Sequence, residues 1–233
     1  MRKITLAFVS VFILQTAAYS QSKGYIALNI GPSVPVNDFK SSDPNNTNAG
    51  YAKTGFNLDV SAGYKLGKYL GLSGMIRHTA HNIELQTIET SLQNNYYQIG
   101  WQATQQAGWD IMNYMVGGYG SFPVGKSSTT FDVRAMIGVL SATSPAYTIT
   151  GTSGSAIAWA KQNSASSSAI SNLIGCGFRF DAGKRTCVLL SLDYIVSEPE
   201  FKNVVLSYSF QGNETTTFKE KINTWNFGFG IGI

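Results

Sequence analysis

The residues able to do chemistry are few, and most of them fall in segments where apolar and polar side chains alternate. Asp59, Lys65, Arg77, Asp132, Arg134, Arg179 and Asp193 are the charged members of such segments. Side chains of a strand point to opposite faces with a period of two. Where the phase is clear, each charge lies opposite the apolar face. Asp132 and Arg134, for example, alternate with Phe131, Val133 and Ala135. Acids and bases enclosed on one face can neutralise one another. Asp59, Arg77, Asp132, Arg134, Arg179 and Asp193 are therefore predicted to form an internal ion-pair network. The role expected of it is structural; a proton or ion path is the alternative.

The other reactive side chains carry weaker patterns. His78 and His81 stand three apart, which on a strand places them on opposite faces and suits no shared metal. Two surface histidines are expected. A hydrolytic nucleophile must lie within hydrogen-bond reach of its base, and no serine follows either histidine closely. No catalytic, metal or cofactor-binding residue is assigned, and no enzyme activity is expected. Cys176 shares a phase with Phe178 and Phe180, whereas Cys187 is out of phase with Val188 and Leu190. They then sit on opposite faces, too far apart for the Cβ spacing of a disulfide, and free thiols are predicted.

The elements that must position these residues are strands. The clearest is 222–233, where Trp225, Phe227, Phe229, Ile231 and Ile233 share one face and Thr224, Asn226, Gly228, Gly230 and Gly232 the other. No amphipathic helix is present to cover that apolar face. The simpler cover is lipid, with this strand closing a barrel against the first. Further strands are read over 24–32, 56–66, 69–77, 111–122, 131–140, 170–180 and 188–194. That makes eight. The connections between them alternate long (33–54, 78–110, 143–169, 196–221) and short (67–68, 123–128, 181–185). This is the pattern of an antiparallel up-and-down transmembrane barrel with four long extracellular loops and short periplasmic turns. The fourth long connection contains a strand-like piece over 204–210. An eight-stranded barrel is only wide enough for side chains to fill its interior, so a plugged lumen is expected.

Two prolines, Pro145 and Pro199, each follow a strand closely, with Tyr147 and Phe201 two residues later. Proline cannot donate to a ladder and fits a strand rim or bulge. Tyr64, Tyr69, Tyr114, Tyr119, Tyr194 and Trp225 stand near strand ends, as in the aromatic girdles of spanning barrels.

Composition agrees with this reading. Arg2 and Lys3, an apolar run over 4–14 and small residues before Gln21 read as a signal peptide over 1–20, too short to span as a helix. Residues 21–233 then form one barrel domain. Without Arg2 and Lys3 the 17 basic residues become 15 against 13 acids, a net charge of +2. That balance, with no basic stripe, excludes a nucleic-acid partner. Charged residues make up 13% of the chain, against ~25% in soluble domains, so much of the outer surface does not face water.

The opening stretch 24–39 and the closing stretch 226–233 resemble small outer-membrane β-barrel proteins of Bacteroidota, a porin-like family. The resemblance implies location in the cell outer membrane and partners limited to outer-membrane lipid and, during biogenesis, the secretion and barrel-assembly machinery. A monomer is expected. Many members end in an aromatic residue read by that machinery; Ile233 departs from this and leaves Phe227 and Phe229 to be read. The family brings no catalytic residues. The job expected is structural or a surface interaction through the loops. The alternatives are a narrow channel for small solutes, or an envelope-lipid enzyme, since 78–82 is loosely similar to the His-x-Ser-Asn of lipid A deacylases but lacks its serine.

Overall fold

A computed structural model describes residues 24–96, 98–125, 128–183, 186–210 and 212–233. The signal peptide expected over 1–20 lies outside the described residues. Eight strands pair antiparallel into a closed barrel. Strand numbers run through the whole chain. The barrel contains β1 (Gly24–Pro35), β2 (Gly55–Lys65), β3 (Leu70–His81), β5 (Trp109–Pro123), β6 (Thr129–Thr143), β9 (Ser166–Asp181), β10 (Cys187–Ser197) and β13 (Ile222–Gly232). Round the ring the order is β1, β13, β10, β9, β6, β5, β3, β2. The closing contact runs from Ala27 opposite Gly232 to Pro35 opposite Thr224, so no edge is left unpaired.

The alternation explains which way the wall faces. Leu28, Leu58, Ile76, Val116, Ile137, Ile174, Leu190 and Phe229 all point outward and are exposed. Asn29, Asp59, Arg77, Asn113 and Asp193 alternate with them and are buried inside. Rings gather toward both rims. Tyr69 stacks on Phe122 and Phe131 meets Phe178 on the side of the short turns, while Tyr194 meets Trp225 at the opposite rim. Tyr119 is a correction to the expected girdle. It is buried in the lumen with its ring edge-on to Tyr25, because it shares the inward phase of Met115 and Asn113.

Several strands run further than the sequence reading placed them. Outward Ser141, Thr143, Ser166 and Ser168 break the apolar alternation but stay in the β6–β9 ladder. The wall therefore continues beyond its apolar band. β3 likewise extends to His81, which places both histidines on a strand rather than in a loop.

The four long connections are folded, not open loops. Among the described residues they hold two helices, α1 (Asn37–Lys40) and α2 (Gln86–Asn95), and five strands, β4 (Gly100–Ala107), β7 (Ala146–Ser153), β8 (Ala156–Gln162), β11 (Glu200–Tyr208) and β12 (Gly212–Lys219). These strands form one sheet in the order β12, β11, β8, β7, β4. Each is the chain neighbour of β13, β10, β9, β6 and β5 respectively, which follow the same order in the barrel. The second sheet is thus the barrel wall carried on over five of its eight strands. Pro145 and Pro199 sit in two of the breaks between barrel and cap, as residues that cannot donate to a ladder should. Gly108 sits in another, where a Cβ would come within 2.2 Å of the His81 carbonyl oxygen.

Beneath this cap lies an apolar core of Phe39, Ala52, Ile83, Trp109, Ile111, Leu140, Phe201, Val204 and Ile222, with Tyr147 and Phe218 packed against it. It roofs the end of the lumen that bears the long connections. One test addresses the wall. Phe227→Arg places a charge on the outward face and should destabilise the folded barrel in lipid by ~2–4 kcal/mol. Asn226→Ser, on the inward face of the same strand, should introduce no lipid-facing charge. Urea titration in vesicles compares the two.

Candidate functional site

The inward face carries a chain of polar contacts. Asn29 Nδ2 donates to Asp59 Oδ1 at 2.8 Å. Arg77 donates to Asp59 Oδ2 through Nε and Nη2 at 3.2 and 2.8 Å. The same Nη2 reaches Asp193 Oδ2 at 2.5 Å. Arg134 then grips Asp193 with two bonds, Nε to Oδ1 at 2.7 Å and Nη2 to Oδ2 at 2.6 Å. Arg77 and the side chains of Asp59 and Asp193 are wholly buried. Two acids and two guanidinium groups thus neutralise one another. Arg77 on β3 and Asp193 on β10 are four strands apart whichever way the ring is followed. Their contact crosses the lumen.

Asp132 and Arg179 lie apart from this group. Arg179 Nη2 donates to Asp132 Oδ1 at 3.0 Å and to Ser121 Oγ at 2.9 Å. Its guanidinium stands over the Tyr25 ring at 4.9 Å, a cation–π geometry. This pair belongs to the end of the barrel with the short turns. The six predicted residues therefore form two clusters rather than one network. Between the lumen's polar groups sits a Met-rich patch of Met75, Met115, Met136, Leu173 and Ile195, flexible side chains that fill irregular gaps.

Glycine makes the staple possible. Gly175 is the ladder partner of both Asp193 and Arg134. A Cβ on it would fall 2.0 Å from Asp193 Oδ1. On β13, Gly230 leaves similar room for Asn29 Oδ1, also at 2.0 Å. The glycine face of the last strand is thus the space into which the network's side chains reach. The signal for this in the sequence is the alternation of Gly228, Gly230 and Gly232 with Phe227, Phe229 and Ile231.

The histidines behave differently from one another. His78 is outward and pairs with Asp110 at 2.9 Å. His81, expected on the surface, is buried, with Nδ1 donating to the Lys53 carbonyl at 2.8 Å and Nε2 facing Ser33 Oγ at 3.3 Å. Its ring is edge-on to Phe39. The extra length of β3 is what carries it inward, in phase with Arg77. On the outer wall the ladder partner of Asp110 is Thr143, whose hydroxyl meets Ser166 at 3.1 Å; no hydroxyl contact to His78 is present among the described residues. Both cysteines are free.

In the cap one acid stands out. Glu220 is 3% exposed, and its Oε1 has no protein partner. Burial, reinforced by Asp38, pushes its carboxyl up to about 8. Glu84, by contrast, is held below its usual range by its hydrogen bond with Lys53.

No family model and no curated protein matches the sequence. Among solved structures, Neisserial surface protein A is 11% identical, covering 90% of this chain and 96% of its own, with a TM-score of 0.48. The attachment invasion locus protein Ail of Yersinia pestis is 16% identical over 92% of this chain and 100% of its own, with a TM-score of 0.41. The outer membrane protein OprG of Pseudomonas aeruginosa is 12% identical over 91% and 93%, also at 0.41. The architecture itself rests on the strand pairing described above.

Gly175→Ala gives a direct test of the staple. It should force Asp193 aside and lower the stability of the folded barrel by ~3 kcal/mol, the scale of breaking a buried ion pair. Gly177→Ala would crowd the Leu190 backbone carbonyl on the same inward face. It controls for backbone crowding without touching the acid, and urea titration of the two against the native protein separates the effects.

Proposed function

We propose that this chain is an integral protein of the cell outer membrane, monomeric and without enzymatic activity. Its plugged barrel serves as an anchor that displays the folded cap at the surface. The single observation that carries this reading is the outward wall of large apolar side chains around a ring with no free edge. A water-exposed sheet would present polar residues there, whereas a spanning one needs the apolar band. Outer-membrane lipid is then the partner of the wall, and the barrel-assembly machinery its partner during insertion. The resemblance to small Bacteroidota barrels points the same way.

The lumen supports an anchor rather than a pore. Cross-lumen ion pairs, the Met-rich patch and the apolar roof occupy successive levels of it. The cap is the part with a shaped surface, and it includes a polar cleft of about 820 Å³ between the first connection and α2. A surface-interaction role follows from that arrangement. A narrow channel is the second reading, favoured by lumen atoms without protein partners, namely Ser61 Oγ, Ser73 Oγ, Tyr119 OH and Arg77 Nη1.

Planar-bilayer recording of the refolded full chain decides between them. The expected result is membrane insertion, judged by faster migration of the unboiled protein on a detergent gel, with no discrete conductance steps. Stable steps from folded protein would replace the anchor with a channel. A protein that stays in the aqueous fraction would overturn the membrane reading altogether.

A further inference from the structure

The cap holds a half-open cavity of about 160 Å³ that the anchor reading does not use. Tyr51, Trp109, Tyr147 and Phe218 contribute to its walls, and Gly50 and Glu220 also line it. These residues come from three of the four long connections and the start of β5, so the cavity exists only when the cap is assembled. Trp109 is fixed by donating its indole N–H to the Gly50 carbonyl at 2.9 Å, and Tyr147 by donating to Gln162 Oε1 at 3.3 Å. Gly50 also leaves room for the acid, since a Cβ there would lie 2.8 Å from Glu220 Oε1.

The carboxyl is the anomaly. It is buried beside aromatic rings, yet no basic residue lines the cavity. Lys219 and Lys221 flank it in the chain but are exposed, and Lys53 is engaged by Glu84 at 2.8 Å. The one charge acting on it from a packed element is Asp38, of its own sign; the other titratable groups lining the cavity are the phenols of Tyr51 and Tyr147. A buried acid normally finds a partner. Here Oε1 has no partner among the described residues. The connections between barrel strands (36–54, 82–108, 144–165 and 198–221) hold eight acidic and six basic residues, a balance of −2, so the cap favours cations as a whole.

We propose that this cavity binds a small organic ammonium ion, with the Glu220 carboxylate as counter-ion and the four aromatic rings as its walls. Ring faces attract cations through their quadrupoles, most strongly where water is excluded, and alkylated ammonium groups are recognised in such cages. A metal ion fits poorly, since hard cations need several oxygen ligands and the described residues contain no group of three His, Cys, Asp or Glu side chains placed to hold one. A fatty chain would not need the acid. Binding requires the ionised carboxylate, so capture of the cation releases a proton from Glu220. The inference deepens the reading of the cap as an interaction surface and rests on it only for biological setting, because binding is measured on purified protein.

The test is titration of tetramethylammonium into the full chain in maltoside micelles, followed by calorimetry and tryptophan fluorescence. Saturable binding is expected, tightening as pH rises from 6 to 8.5. Glu220→Gln should weaken it by about tenfold or more, and Phe218→Leu by a few-fold. Neopentyl alcohol, of similar shape without the charge, should bind at least about tenfold more weakly. Faster migration of each unboiled variant confirms that it has folded, and should Glu220→Gln not fold, Phe218→Leu and the neutral analogue decide. No saturable binding to the native protein, equal binding to folded Glu220→Gln, or equal binding of the alcohol would each overturn the proposal. None of those results would touch membrane insertion, so the two readings fail separately.

Discussion

The contact between Arg77 and Asp193 is the constraint on which the rest of this molecule depends. It joins opposite walls of a ring too narrow for anything but side chains. A guanidinium group buried this deeply is tolerable only when it is paired and hydrogen-bonded. Asp59 and Asp193 supply that pairing, and Arg134 completes the charge balance. The apolar exterior has the same cause. At the level of the apolar band one face of each strand is apolar, so the charged groups of that band fall on the other face and are held there by one another. Gly175 and Gly230 then follow from the need for space inside so small a ring.

Some of this was legible in the residues and some was not. Alternation around Phe131–Leu140 or Trp225–Ile233 settles strand, face and the inward direction of Asp132 and Arg134. Which acid meets which base is another matter. Arg77 and Asp193 are 116 positions apart, and their meeting depends on strand number and stagger, which no local pattern contains. Tyr119 shows how two signals compete. Its place near a strand end points to a girdle, but its phase with Met115 and Asn113 points inward, and phase wins because the pleat is continuous. His81 follows the same rule, with its phase hidden by a strand that runs past its apolar part.

The cap was the least legible part. In β12 both faces carry Thr beside Asn or Glu, and in β4 the face of Trp101, Ala103 and Ala107 is short and interrupted by Gln105, so little hydrophobic period of two is left to read. What does survive is positional. Pro145 with Tyr147 and Pro199 with Phe201 mark places where a barrel strand ends, breaks and resumes, and both rings then pack into the apolar roof. The repetition reflects one geometric task performed twice. Because the cap sheet keeps the strand order of the barrel below it, the two are one wall. The placement of Glu220 and the aromatic rings around it is thereby tied to the closure of the ring.

A double-mutant cycle on Arg77 and Asp193 tests the central claim most directly. Arg77→Met, Asp193→Leu and the combined variant would be unfolded by urea from lipid vesicles. If the cross-lumen contact staples the barrel, each single change costs ~3–5 kcal/mol, and the combined loss falls short of their sum by ~1–3 kcal/mol. Strictly additive losses would mean that the two walls do not hold each other, and would contradict a barrel stapled through its lumen.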